Sequence, residues 1–371
     1  MKLVRPATFC ASVLALTVVV PLFAQIPFSP AVMYTLPGAT STGNIGDFNG
    51  DWIPDLITAT RSNRTLAVFP GKGDGTFQSA IAQQMESNAD AMAIGDVNSD
   101  GKLDAIVVGA IPTNAHMSVY LGQGNGSFNA AVTYATDPYP SAVALGDFNG
   151  DGKLDAAVGH GGAGNVRVYP NQGRGTFGTP VVFQVGPAWD LATADMNTDG
   201  KLDLILGQTS SPTVILGKGD GTFNPPIYKP IGYAVQSVGI ADYNRDGKLD
   251  VVSACSAASR ADILFGNGDG SLSAPQQLTT PMSTFAARAG DMNQDGKQDV
   301  VLTSAGTALT ILHGRGDGTF DPYQQITLFG AEALIVADLN HDLRPDIASF
   351  EYNSNRLAVL LGMIPTTVTK K

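Results

Sequence analysis

The sequence predicts an all-β fold, a seven-bladed β-propeller whose last blade is closed by the N-terminal strand. Three observations predict it: an acidic motif that recurs seven times, a glycine-rich motif that keeps step with it, and short apolar segments between them. The acidic motif reads D-x-N-x-D-x-x-x-D, and successive copies start 49, 51, 48, 47, 49 and 47 residues apart. Self-similarity at so even a period is the signature of a repeat architecture.

One repeat contains four short strands. In the third repeat, residues 141–146 are small and apolar, as expected for a tightly packed inner strand. The acidic motif follows at 147–155, and further strand-like segments lie at 156–158, 166–169 and 181–183. Four strands joined by three turns in about fifty residues make one propeller blade. No segment has sustained helical periodicity, so the sequence does not favour an α/β fold.

The glycine-rich motif places the chain termini in one blade. It occurs six times, at residues 71–77, 122–128, 171–177, 217–223, 266–272 and 314–320. A seventh copy would begin at Gly362, where the chain is about to end. Residues 28–34 resemble residues 128–134, the fourth strand of the second repeat. We therefore expect the N-terminal strand to complete the last blade, which would leave no open sheet edge between the chain ends.

The acidic motifs predict calcium loops. Oxygen-bearing side chains stand at positions 1, 3, 5 and 9, position 7 can offer its carbonyl, and glycine at position 6 permits a sharp bend. An EF-hand would need a glutamate at position 12 and flanking helices, and the sequence has neither. The predicted ligands are Asp47, Asn49, Asp51, Asp55, Asp96, Asn98, Asp100, Asp104, Asp147, Asn149, Asp151, Asp155, Asp195, Asn197, Asp199, Asp203, Asp242, Asn244, Asp246, Asp250, Asp291, Asn293, Asp295, Asp299, Asp338, Asn340, Asp342 and Asp346.

The alternative is that these loops are ordinary Asx turns without metal. A turn does not need three carboxylates and an asparagine in fixed places seven times over, because close carboxylates repel. Calcium is expected in the five central loops. The first and seventh loops carry Trp52 and Leu343 in place of the position 6 glycine, so lower affinity is expected there if that position needs a positive φ.

The N-terminus predicts export. Residues 1–24 have the pattern of a signal peptide, with Lys2 and Arg5 before an apolar run, and residues 25–371 would form the single propeller. An uncleaved anchor is the alternative, although the run is shorter than the ~20 residues of a spanning helix. We expect a secreted protein, extracellular or periplasmic, without a membrane span after cleavage. Cys255 would be its one cysteine, predicted to be a small buried residue.

The net charge of −11 belongs mainly to the acidic motifs, which use 21 of the 33 acidic residues. Seven bound Ca²⁺ would bring the mature chain close to neutrality. The sequence has no basic patch, so we expect no nucleic-acid partner. It carries no signal for an oligomeric state.

These motifs resemble the FG-GAP/VCBS repeat family, the calcium-binding propeller repeat also found in the head of integrin α chains. The resemblance rests on segments such as residues 146–155 with their following Gly-Thr-Phe loop, and it covers about residues 28–362. It implies a propeller with calcium in the turns between first and second strands. It implies no single activity, since members resemble adhesion heads, lectins and scaffolds of polysaccharide-degrading enzymes.

The first functional hypothesis is a binding or adhesion module for an extracellular glycan or protein. The face opposite the acidic loops carries the most variable turns, where aromatic rings stand beside polar groups. The candidate ligand-binding residues are Tyr139, Trp189, Asp190, Tyr233, Phe285 and Arg288. Trp189 and Phe285 have the alternative of packing between blades.

Two other hypotheses remain open. A polysaccharide lyase or hydrolase would need an acid or base outside the acidic loops, for which His160 and Glu332 are candidates. No metalloprotease or serine-hydrolase motif is present, so an enzyme is not the expectation. A structural component of a surface or matrix is the third hypothesis.

Overall fold

The fold is described from a computed structural model of the 371-residue chain. It describes residues 26–109, 115–256, 259–304, 308–328, 331–351 and 355–363, and for residues 40, 41, 331 and 332 only the backbone. The predicted signal peptide, 1–24, lies outside these ranges. Within them, no helix is long and apolar enough to span a bilayer.

The described residues form β-strands joined by turns. In chain order the strands are β1 (Val32–Thr35), β2 (Thr40–Gly46), β3 (Asp55–Thr60), β4 (Thr65–Phe69), β5 (Ile81–Gln84), β6 (Ala91–Gly95), β7 (Asp104–Gly109), β8 (His116–Tyr120), β9 (Val132–Ala135), β10 (Pro140–Gly146), β11 (Asp155–His160), β12 (Asn165–Tyr169), β13 (Asn171–Gly173), β14 (Thr176–Phe177), β15 (Val181–Gln184), β16 (Ala188–Ala194), β17 (Asp203–Gln208), β18 (Pro212–Ile215), β19 (Ile227–Tyr228), β20 (Val235–Ala241), β21 (Asp250–Cys255), β22 (Arg260–Leu264), β23 (Gln276–Thr279), β24 (Thr284–Gly290), β25 (Asp299–Ser304), β26 (Ala308–Leu312), β27 (Gln324–Thr327), β28 (Ala331–Ala337), β29 (Asp346–Glu351) and β30 (Arg356–Leu360).

The strands make seven antiparallel four-stranded sheets, and the predicted propeller is confirmed. Blade 1 is β2-β3-β4-β5, blade 2 is β6-β7-β8-β9, blade 3 is β10-β11-β12-β15, blade 4 is β16-β17-β18-β19, blade 5 is β20-β21-β22-β23, blade 6 is β24-β25-β26-β27, and blade 7 is β28-β29-β30-β1. The first strand of each blade contacts the first strands of both neighbouring blades, and β28 contacts β2. The seven inner strands therefore form a closed ring.

The N-terminal strand completes blade 7, as predicted. β1 pairs antiparallel with β30, with Val32 opposite Val359. Beyond the strand, Phe28 bridges Gly362 in the same way that Phe77 bridges Gly71 in blade 1. The seventh glycine-rich motif is therefore split, because its glycine lies at the C-terminal end and its phenylalanine at the N-terminal end. Hydrogen bonds between Ser29 and Leu361 join the two segments.

The core lies between the blades. The second strand of every blade is buried at all six residues. Seven apolar clusters form, and each draws side chains from two adjacent blades. Cys255 is a buried free thiol in one of them, as predicted, and burial raises its pKa to about 12. Apolar burial thus holds neighbouring blades together around the whole ring.

The acidic loops join the first and second strands of each blade and need left-handed backbone at position 6. The five central glycines there have φ between 78° and 81°. Trp52 and Leu343 hold the same conformation with φ of 66°, and both side chains are more than four-fifths exposed. Position 4 is also left-handed in all seven loops, which the sequence analysis did not predict. The predicted strain in the first and seventh loops is therefore present.

We predict that Gly152→Ala destabilises the metal-free protein by about 1 kcal/mol, because a left-handed residue with a Cβ is strained. A Cβ at Gly152 would meet no atom within 4 Å, so the cost is purely conformational. Leu343→Gly should stabilise by about 0.5–1 kcal/mol for the converse reason. Urea unfolding in EGTA measures both. Gly152→Asn is the matched control, since asparagine tolerates positive φ better, and a cost equal to that of alanine would contradict the explanation.

Candidate metal loops and a candidate ligand cleft

Backbone N–H groups hold the loop oxygens in place. In the third loop, Asp147 accepts hydrogen bonds from the N–H groups of positions 4, 5 and 6 at 2.7–3.1 Å. Asn149 accepts one from position 5, and Asp151 accepts one from position 7. The hydrogen bonds donated by the N–H groups of positions 5, 6 and 7 recur in the other six loops. Positions 1, 3 and 5 are thereby fixed around one tight turn.

The aspartate at position 9 is buried and fastens two turns of its blade together. One oxygen of Asp104 accepts the N–H of Val97, at loop position 2, and the other accepts the N–H of Gly122, in the glycine-rich motif, at 2.9 and 2.7 Å. All seven blades repeat this pair of bonds. The sequence pattern predicted position 9 only as a metal ligand, and this structural role was not predicted.

Burial makes the charge at position 9 costly. It raises the pKa of Asp104 to about 6, against the opposing effect of the two N–H groups, and Asp100 and Asp96 raise it further by repulsion. The pKa values of Asp250 and Asp346 rise to about 6 for the same reasons. Burial first, and the neighbouring carboxylates second, therefore disfavour the ionised form of these aspartates.

The glycine of the second motif is required by close approach to the loop. A Cβ on Gly122 would lie 2.1 Å from the carbonyl oxygen of Leu103, at loop position 8, and Gly362 keeps this approach in blade 7. Blade 3 has Asn171 instead of this glycine. The Asn171 amide donates to the position 8 carbonyl of Leu154 and to Val97 in the neighbouring blade, at 2.9 and 2.8 Å. The exception thus replaces tight packing with a bond between blades.

Lysines at position 7 lie beside the loop carboxylates. Lys153 Nζ donates to Asp151 at 2.7 Å, which lowers the pKa of Asp151, and Lys297 contacts Asp295 at 2.9 Å. The sequence pattern predicted a role only for the carbonyl of position 7, so this side-chain contact was not predicted. The lysine at position 7 is attached two residues after the aspartate at position 5, so its ammonium group can reach that carboxylate.

The loop donors are all oxygen atoms, the set that suits a hard divalent cation. An ionised carboxylate offers about four lone-pair sites, so a site remains for a cation even at Asp147, which accepts three N–H bonds. In the described part of the chain, no three carboxylate, imidazole or thiol groups converge as a preformed metal cluster. The donor chemistry therefore fits calcium, with the loop backbone as scaffold.

The opposite face gains its shape from β-bulges. The pairing of the first and second strands shifts by one residue near the start of the first strand in most blades. In blade 4, Ala188 pairs with Gln208 and Asp190 with Gly207, so Trp189 between them is unpaired. Bulges commonly re-aim side chains next to binding sites. The sequence pattern did not predict them, because each shift lies within the first few residues of its strand, where too few residues precede it for a change of alternation to be visible.

Four of the six candidate ligand residues line the mouth of the central channel on this face: Trp189, Asp190, Phe285 and Arg288. Two of them are held by bonds of their own. Asp190 accepts the N–H of Val238 from the next blade at 2.9 Å. Arg288 donates to Ser237 Oγ at 3.2 Å. These charged side chains therefore also connect inner strands.

Tyr139 and Trp189 meet at one cleft, which we name the blade-3/4 cleft. It has a volume of about 680 Å³ and is lined by Arg61, Asn88, Asp90, Tyr139, Pro140, Ser141, Gly161, Gly162, Trp189 and Gln236. Tyr233 is not among them. Its ring instead lies 4.7 Å from the guanidinium carbon of Arg260, a cation–π contact within blade 5.

Of the two residues considered for catalysis, only His160 has a described side chain. His160 is fully buried, with Nε2 2.7 Å from Thr136 Oγ1 and Nδ1 3.3 Å from the Asn165 carbonyl. Burial lowers its pKa. The side chain of Glu332 lies outside the described residues. His160 thus has the surroundings of a core histidine.

Solved structures with the same fold include two of different function. A structure of BBS1N in complex with ARL6DN, soaked with lead, aligns with a TM-score of 0.64 and 12% identity, over 93% of this chain and 99% of that one. A lectin from Agrocybe aegerita, in a structure concerning its specific recognition of non-reducing terminal N-acetylglucosamine, aligns with a TM-score of 0.53 and 19% identity, over 79% and 81%. At these identities the likeness shows the fold alone. No curated protein matches the sequence.

The repeats themselves match a known family. The FG-GAP-like repeat matches six overlapping segments, residues 47–107, 96–158, 147–206, 195–253, 242–302 and 291–349. Each segment begins at one acidic loop and ends in the strand that follows the next acidic loop. Together the segments span more than half of the chain. The chain belongs to the FG-GAP-like repeat family.

Proposed function

We propose that this chain is a secreted, calcium-binding propeller that serves as a binding or adhesion module for an extracellular glycan or protein. The observation that carries the proposal is the difference in side-chain chemistry between the two faces of the propeller. One face holds seven oxygen-rich loops fixed to the blades, and the other holds a bulge-shaped mouth with exposed aromatic rings.

Calcium is the proposed ion because all the loop donors are hard oxygen atoms and because calcium accepts a variable number of such ligands. Positions 1, 3, 5 and 9 of each loop would hold it, together with the position 7 carbonyl. The ion would offset the repulsion among three carboxylates within nine residues. Extracellular calcium modules bind with Kd around 10⁻⁴–10⁻³ M, so occupancy would be high outside a cell. The export pattern in residues 1–24 agrees with that location.

Binding is the proposed activity because the chemistry of the second face suits recognition. Trp189 and Tyr139 are 41% and 53% exposed, although rings of this size usually dominate buried cores. Polar side chains surround them. Pockets that combine aromatic walls with a few placed polar groups are typical of ligand sites. The glycan-recognising propeller from Agrocybe aegerita has the same fold, which makes a glycan a reasonable class to test.

We predict that Asp151→Asn removes one calcium site. The substitution keeps an oxygen that accepts the N–H of Lys153 but removes the charge at position 5. Isothermal titration with millimolar CaCl₂ should show a stoichiometry lower by one, with the other sites unchanged. Asp74→Asn is the matched control, because Asp74 is an aspartate in a glycine-rich loop that bonds Thr76. An unaltered stoichiometry in Asp151→Asn, or no binding heat in the parent protein, would contradict the calcium proposal.

The binding proposal predicts retention of an extracellular ligand that depends on calcium. The mature protein is applied to a glycan array and to an array of extracellular matrix proteins, in millimolar calcium and again in EGTA. Binding in calcium that weakens in EGTA is expected, because the ions would hold the blades in register beneath the opposite face. Failure to bind either array would overturn the proposed activity.

A further inference from the structure

We infer that the blade-3/4 cleft binds a neutral saccharide, with Tyr139 and Trp189 as the stacking surfaces for a sugar ring. The inference rests on the proposed binding function and narrows it to one site and one ligand class. A pyranose ring suits such a site because it presents an apolar C–H face and a rim of hydroxyl groups.

The Trp189 and Tyr139 rings each pack against a glycine, which has no side chain. A Cβ on Gly161 would stand 2.8 Å from Trp189 Cζ3, and a Cβ on Gly162 would stand 2.6 Å from Tyr139 Cδ2. Two consecutive glycines of the β11–β12 turn therefore let two aromatic side chains settle beside each other. Since the glycines are adjacent in the chain, both rings border one cleft, although Tyr139 precedes β10 and Trp189 lies in β16.

The backbone that presents each ring is irregular. Tyr139 has φ of 59°, a left-handed conformation that an aromatic residue rarely adopts, and its carbonyl accepts the N–H of Gly161 at 3.0 Å. Trp189 stands at the bulge of β16. Strained backbone and bulges both concentrate at ligand sites, because regular structure would direct these side chains elsewhere. Here they place two aromatic rings in solvent.

The polar groups of the cleft favour a neutral ligand. Its two charged side chains, Arg61 and Asp90, form an ion pair with each other, so the cleft carries no net charge. Asn88, Ser141 and Gln236 supply amide and hydroxyl groups. The Gln236 amide donates to Ser256 Oγ at 3.2 Å, which orients that side chain. Amides and hydroxyls form hydrogen bonds readily with sugar hydroxyls, but they give little preference for the carboxylate of an acidic sugar.

The size of the cleft favours a small ligand over a protein surface. Its volume of about 680 Å³ lies within the 300–1,000 Å³ typical of small-molecule sites. A stable protein interface needs about 800 Å² from each partner, mostly from a broad, flatter patch. We therefore commit to a saccharide, and binding to protein alone is an outcome that the test distinguishes.

The test compares single variants on an array of neutral and acidic oligosaccharides in millimolar calcium. Trp189→Ala and Tyr139→Ala should each weaken binding to neutral glycans by about tenfold or more, as loss of an aromatic anchor typically does. Trp189→Phe should keep most of the affinity, since it keeps a stacking ring. Tyr323→Ala is the matched control, because Tyr323 is 40% exposed, close to the 41% of Trp189, and lines a different cavity. Melting temperatures show that each variant is folded.

A second readout follows the cleft directly. The chain has two tryptophans, Trp52 and Trp189, so Trp52→Phe leaves Trp189 as the sole tryptophan. Titration of this variant with a neutral oligosaccharide that binds on the array should shift the emission of Trp189 and protect it from acrylamide quenching. The half-point should equal the Kd from the array.

The outcomes separate this inference from the proposed function. Parent-like glycan binding in Trp189→Ala and Tyr139→Ala, equal loss in Tyr323→Ala, or an unchanged Trp189 emission would overturn the cleft assignment and leave the binding function standing. Binding to matrix proteins but to no saccharide would overturn the ligand class alone. Binding to neither array would overturn the proposed function and this inference together.

Discussion

The rest of the structure depends on the buried aspartate at position 9 of each acidic loop. Its carboxylate accepts one N–H from its own loop and one from the glycine-rich turn, so a single side chain fixes the first-to-second and third-to-fourth turns of a blade. Hydrogen bonds to a charged group contribute roughly 1.5–3 kcal/mol each, and the arrangement occurs seven times. Cys255 is the one cysteine among the described residues, so no disulfide between them could take over this role.

The same carboxylate creates an electrostatic problem that the loop does not solve by itself. The same nine-residue loop holds two further aspartates besides the buried one at position 9. A lysine beside position 5 offsets only part of the repulsion among the three carboxylates. The proposed divalent cation would supply the missing charge at the acidic loop, and its binding would then contribute to the stability of the blades. The opposite face is then free to vary, because its turns carry none of these constraints. The bulges of the first strands occur there, at the strand ends away from the acidic loops.

The ring, its seven blades and the strand exchange at the termini could be predicted because each leaves a periodic trace in the sequence. The split glycine-rich motif even located the closure, through Phe28 and Gly362. Other features leave no such trace. The bulge at Trp189 and the left-handed Tyr139 depend on backbone pairing, and the contact of Tyr233 with Arg260 depends on a long-range fold. For the candidate ligand residues, the sequence therefore predicted that they lie on the face opposite the acidic loops but not which side chains share a cleft.

The most direct test of the account is the thermal unfolding of the mature protein with added calcium and with EGTA. If cations at the acidic loops hold the turns of every blade, the melting temperature should be clearly higher in millimolar Ca²⁺, and should rise with calcium concentration as expected for a ligand that binds only the folded state. Identical melting in both conditions would contradict the claim that the seven acidic loops are cation sites.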